Sequence, residues 1–131
     1  MQNKTTEFSF VLKTSGHGIG VFAAHDIEAK TFLRVFGDEN NSNDVSVVRK
    51  KEDIPEFFRQ YCVDRSSTME CPKDFGCMEI GWLINHSKTP NSYIFNKEYY
   101  ALRDISAGEE ITIDYNSLNE PEKSRKDYYK K

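Results

Sequence analysis

Cysteine is scarce in this chain of 131 residues: Cys62, Cys71 and Cys77 are all it has. An odd number without any C-x-x-C spacing disfavours both a disulfide framework and a self-contained zinc site, which leaves three free thiols in a reducing compartment as the expectation. Long apolar runs are missing too. None approaches the roughly 18 residues that a bilayer-spanning helix needs, and no charged-then-apolar leader opens the sequence, so a soluble, intracellular protein is expected. Charge of one sign is weak. A net −3 lacks the basic excess of a general nucleic-acid binder, while leaving room for a basic peptide partner. Histidine is sparse as well, and no second histidine or carboxylate stands at ligand spacing from His86, so no metal is expected there. No repeat or internal linker appears. At this length the chain reads as one domain, residues 1–131.

Aromatic residues, by contrast, are plentiful at 13%, which argues for a folded core rather than disorder. Phe8 to Leu12 is apolar at nearly every position, which suits a buried strand. Gly16, Gly18 and Gly20 then alternate before Val21-Phe22-Ala23, a strand–glycine loop–strand pattern. Glu28-Ala29-Lys30 turns into a further strand, Thr31 to Phe36, closed by Gly37, and the Asn-rich stretch Asp38 to Asp44 reads as a loop. Asp53-Ile54-Pro55-Glu56 combines an N-cap residue, a proline in the first turn and an early acid, the start of a helix. That helix sets Phe57, Phe58, Tyr61 and Cys62 on one face. Asp64 to Gly76 shows no period and reads as a loop.

Further on, "SYIFNKEYYALRDI" reads as a hairpin turning at Asn96-Lys97, with another turn at Ala107-Gly108. "EEITIDY" sets Ile111, Ile113 and Tyr115 on one face against Thr112 and Asp114 on the other. The tail "NEPEKSRKDYYKK" runs from acids to bases, as a helix dipole prefers, and is either a short solvated helix or a frayed end. The predicted fold is mostly β, with many short strands, one helix inserted midway and at most a second at the C-terminus.

In "GWLINHSKTPN", Gly81 to Asn91, an apolar run ends in Asn85, His86 and Ser87. Three hydrogen-bonding side chains in that place either cap an element or hold a ligand. Gly18-Ile19-Gly20 lets backbone approach a ligand closely. It leads into a strand rather than a helix, so the dinucleotide fingerprint is not met, and a plain hairpin turn is the simpler reading. Glu109 and Glu110 point to opposite faces of a strand. They read as solvated turn charges rather than a glycosidase-type acid/base couple. Tyr115 is either a core tyrosine with its hydroxyl at the surface or a site group.

Taken in order, "GHGIGVFAAHDIEAKTFL", "WLINHSKTPNS" and "ALRDISAGEEITIDY" resemble the glycine, Asn-His-Ser and closing motifs of the SET-domain protein lysine methyltransferases. The resemblance runs from about Phe8 to Tyr115, and the last two motifs are its specific part. It implies a SET-domain (β-clip) fold of several short sheets with a C-terminal pseudoknot, in which the Asn-His-Ser segment threads beneath the closing motif. It implies S-adenosylmethionine as cofactor and S-adenosylhomocysteine as product. The backbone around His17, Gly18, Ile19 and Gly20 would cradle the methionine moiety. Asn85 would bond its amino-acid end, and His86 would meet the adenine through its backbone. Tyr115 would be the catalytic tyrosine, also touching the cofactor, and Tyr61 the second aromatic of the lysine channel.

The cysteine-rich modules of many eukaryotic members are lacking, so the likeness is to small stand-alone SET proteins of viral and bacterial type. The implied partner is a lysine-containing protein or peptide, a histone tail first, with no membrane and no direct nucleic-acid binding. A histone substrate would place the protein at chromatin, in its own cell's nucleus or a host's. A homodimer that completes the site, or a lid formed by residues 117–131 around Tyr128-Tyr129, would replace the missing module. The alternatives are a catalytically inactive SET-like domain that binds a partner or peptide, and an unrelated β-rich binding protein.

Overall fold

In the computed structural model, which describes residues 3–16, 18–36 and 46–118, the chain opens on a hairpin. Phe10–Ser15 (β1) and Gly18–Ala23 (β2) pair antiparallel, from Phe10 against Ala23 to Ser15 against Gly18. The far side of β2 is taken by the closing segment: Ala23 N–H donates to Glu109 C=O at 2.9 Å, and Ile111 N–H to Val21 C=O at 2.7 Å. That arrangement corrects the expectation of a buried strand from Phe8 to Leu12. β2 is the inner strand, with Val21 fully buried, whereas β1 is an edge and leaves Val11 and Leu12 at 42% and 48% exposure, and Phe8 in the turn before it is 78% exposed.

The stretch 31–36 is extended and inward-facing but is not the strand expected. Its ladder contacts are two isolated bridges at Phe32, parallel to Lys4 and antiparallel to Tyr100, while Leu33 and Val35 drop into the main core. The preceding turn is real, with Lys30 in the left-handed region at φ 69°. Gly37 and the loop through Asp44 lie outside the described residues.

Ser46–Lys50 (β3), Val63–Asp64 (β4) and Thr68–Pro72 (β5) form a three-stranded antiparallel sheet in the order β3-β5-β4. Asp64 to Gly76 is therefore not a loop throughout. Met69 and Cys71 alternate inward onto Ile54, a three-residue satellite core too small to mark a strand in sequence. The expected helix at Asp53 is also corrected. Two 3-10 segments, Lys51–Asp53 and Glu56–Tyr61, stand there, and Pro55 caps the second without a side-chain bond. Six residues are too few to sustain an α-helix, and the tighter winding turns Phe57 outward at 66% exposure.

Ser92–Phe95 (β7) and Glu98–Ala101 (β8) make the expected hairpin. Asn96 and Lys97 at its tip have φ 55° and 67°, the paired left-handed values of a type I′ turn. Gly108, at φ +91°, makes the next turn. Asn85–His86 (β6) then pairs in parallel with Thr112–Ile113 (β9), although the β7–β8 hairpin lies between them in sequence. This long-range parallel contact is what the implied pseudoknot requires. Leu33, Ile105 and Ile111 are at most 1% exposed and anchor the core beneath it. Each such side chain stabilises the fold by about 1.5–3 kcal/mol. The described residues end in a 3-10 turn, Tyr115–Leu118. The helix or lid expected at the tail lies beyond it, outside the described residues.

Candidate active site

β6 consists of Asn85 and His86 alone, and a strand sends successive side chains to opposite faces. On one face Asn85 Nδ2 points at three acceptors: Glu110 Oε2 at 2.8 Å, Ile19 C=O at 3.1 Å and Ser15 Oγ at 3.2 Å. One amide thus draws together β1, β2 and the segment leading into β9. Gly20 lies directly beneath. A Cβ there would overlap the Glu110 carboxylate and sit 3.1 Å from Asn85 Nδ2, so close approach is what requires glycine. Gly18 differs: it has open space around it and needs glycine for φ +100°. Ile19 beside it is half exposed, which leaves this backbone open to a ligand.

Glu109 and Glu110 part company, as strand neighbours must, but only one is the solvated charge expected. Glu109 pairs at the surface with Arg103, Nη2 to Oε2 at 2.8 Å. The hydrogen bond from that guanidinium holds the Glu109 carboxyl below its usual range. Glu110 instead turns onto Asn85, which corrects the expectation for it. The alternation that put Ile111, Ile113 and Tyr115 inward also set Glu110, Thr112 and Asp114 on the opposite face. Of that face it is Glu110 that meets the Asn85 side chain, and sequence gives no sign of it.

Asn91 was missed as well. It is 2% exposed, its Nδ2 donates to Glu110 C=O at 2.8 Å, and its Oδ1 accepts from Thr112 N–H at 2.9 Å. Spanning one residue's carbonyl and the next-but-one N–H, it acts as a peptide group of a parallel strand would. Its place just after Pro90, within the motif already singled out, was the available signal.

On the other face of β6 the His86 ring, 6% exposed, meets the closing segment. Its Nδ1 accepts the Tyr115 N–H at 3.0 Å. The same Nδ1 lies 3.7 Å from Asp114 Oδ1, which would be an ion pair only in a protonated ring. Accepting the amide proton argues for the neutral form. The Tyr115 hydroxyl donates to Ile84 C=O at 2.8 Å, and its ring is half-buried against the core. Tyr115 is therefore held by Ile84 and His86, the residues on either side of Asn85.

Tyr61 stands on a separate element, away from β6 and the closing segment in sequence. It ends the 3-10 segment Glu56–Tyr61 with its ring 6.2 Å from that of Phe57. His17 lies outside the described residues. Elsewhere, Ser9 Oγ lies 2.8 Å from His25 Nε2, a pairing that suggests a nucleophile. Ser9 is fully buried and accepts the Thr6 N–H, so that pair ties down the N-terminal turn. Among the described residues no group of three or more His, Cys, Asp or Glu gathers at metal-binding distance.

A family model described as SET domain matches residues 18–116. Among solved structures the chain is similar to the crystal structure of a Plasmodium falciparum "putative histone methyltransferase". The two are 24% identical, the match covers 82% of this chain and 93% of that one, and the TM-score is 0.53. At that identity the likeness is one of fold. No curated protein matches the chain.

Proposed function

The chain belongs to the SET-domain family, and we propose that it is an S-adenosylmethionine-dependent protein-lysine N-methyltransferase whose leading substrate is a histone tail. The observation that carries this reading is the double tie of Tyr115, by its amide to His86 and by its hydroxyl to Ile84 C=O. It fixes one phenol oxygen beside the strand that presents Asn85. The residues present suit the cofactor. Gly18 and Ile19 offer reachable backbone, and Gly20 lets the Glu110 carboxylate lie close beside Asn85.

When bound, S-adenosylmethionine supplies an electrophilic methyl on a sulfonium whose leaving group departs as a neutral thioether. The protein's task is then alignment and charge handling, since positioning alone is worth several orders of magnitude in such displacements. Asn85 and the glycine strand hold the amino-acid end. The single hydroxyl proton of Tyr115 is committed to Ile84 C=O, so towards a lysine nitrogen the phenol oxygen acts as an acceptor. It can hold an amine N–H and leave the nitrogen lone pair directed elsewhere. A free lysine, with a pKa near ~10.4, arrives charged. Desolvation beside a positive sulfonium favours loss of its proton.

The test is transfer of labelled methyl from S-adenosylmethionine to core histones and to a lysine peptide array, with Tyr115→Phe alongside. Tyr115-dependent labelling is expected, with turnover in the variant down by at least ~10-fold, as for loss of one positioned group. Equal labelling by the two proteins would refute the role of Tyr115. A fold that binds the cofactor and labels nothing would return the chain to the inactive class.

A further inference from the structure

Around Asn85 the hydrogen-bonding balance is lopsided. Its Nδ2 has two protons and faces three oxygens, those of Ser15, Ile19 and Glu110. The Ile19 carbonyl and the Glu110 carboxylate can only accept, and a carboxylate has about four lone-pair positions, of which Asn85 uses one. A site with surplus acceptors, one of them anionic, selects a ligand rich in protons, and a primary ammonium offers three.

The carboxylate is also prepared in advance. Asn91 grips the Glu110 carbonyl at 2.8 Å, the bonds of Glu109 and Ile111 to β2 flank it, and Asn85 fixes the carboxylate itself. Gly20 reserves the space. We infer that Glu110 binds the α-ammonium of the cofactor's amino-acid end, a step that rests on the S-adenosylmethionine reading above. The other primary ammonium in the reaction is the substrate lysine, whose nitrogen must meet Tyr115. Glu110 and Asn85 lie on the face of β6 opposite the His86 ring and the Tyr115 amide, which assigns Glu110 to the cofactor. Glu110 is on this account a binding residue, packed against Gly20.

Calorimetric binding of S-adenosylhomocysteine and of its analogue lacking the α-amino group, to the full chain, tests this directly. The wild type is expected to prefer the amine-bearing ligand by ~10-fold or more, the worth of a charge-assisted hydrogen bond. Glu110→Gln should erase that preference while leaving affinity for the des-amino analogue nearly unchanged, which also shows the variant to be folded.

Retention of the preference by Glu110→Gln overturns the inference, as does an equal loss of both ligands, which marks Glu110 as merely structural. A raised KM for a lysine peptide with the ligand preference intact moves Glu110 to the substrate side and overturns it too. Wild type that binds neither ligand refutes the S-adenosylmethionine reading itself, a result distinct from failure of Glu110 alone.

Discussion

Asn91→Ala should cost this protein more than its small, polar side chain suggests. Truncation removes the partner of the Glu110 carbonyl and of the Thr112 N–H at once, bonds of 2.8 and 2.9 Å made by a side chain 2% exposed. A buried backbone group stripped of its partner costs about 1–3 kcal/mol. Two such groups, with some relaxation or water entry, give an expected loss of roughly 2–4 kcal/mol. At roughly 4 °C per kcal/mol for a chain of this size, the melting temperature should fall by about 8–16 °C. Urea and thermal unfolding of wild type and variant measure both quantities.

Asn91→Asp sharpens the test. It keeps an oxygen for Thr112 N–H but sets a second oxygen against the Glu110 carbonyl, so it should be no better than alanine despite its near-identical shape. A loss below ~0.5 kcal/mol for alanine, the range of ordinary surface substitutions, would refute the reasoning. So would an aspartate variant as stable as wild type.

Gly81→Ala should also destabilise, because the new Cβ would overlap the Phe36 ring. That ring is hemmed in by Trp82 at 5.7 Å and Tyr99 at 5.5 Å. The Gly81 N–H to Val35 C=O bond prevents the two segments from sliding apart, so the overpacking penalty of about 1–3 kcal/mol applies. Gly16→Ala, which meets open space, is the matched control for denaturant unfolding, and equal effects from the two would defeat this account. At alkaline pH the satellite core should weaken. Burial, and then the neighbouring Cys71, push the Cys62 thiol up to about 12 from the ordinary 9.0. A folded pKa raised above the unfolded one contributes stability that is whole below pH 9 and fades as pH climbs toward the folded value. Urea midpoints measured from pH 8 to 10.5 should therefore fall less steeply for Cys62→Ala than for wild type, and parallel curves would count against it.

What could be read from sequence, and what could not, divides by the range of the interaction. Asn96-Lys97 announces its hairpin because the left-handed turn is a property of those two residues. The inward face of Ile111, Ile113 and Tyr115 is announced by period two. Exposure of β1 was illegible, since an apolar run states what a strand can bury and not whether anything covers it. β5 was illegible for the converse reason: Met69 and Cys71 serve a core of three residues, below what periodicity detects. The site lies at the extreme of this scale. Asn85 meets Thr112 in a parallel pair that no local signal encodes, and only the order of motifs along the chain, matched to a family, foretold it. Even that order named the side chains which the family's pattern fixes and passed over Glu110 and Asn91. Their roles follow from the side-by-side pairing of two short strands, where a residue that alternation assigns to solvent is instead turned onto an amide. In a fold closed by threading, the polar face of the last strand is therefore where residue-by-residue reading fails first, and where the chemistry that it misses should be sought.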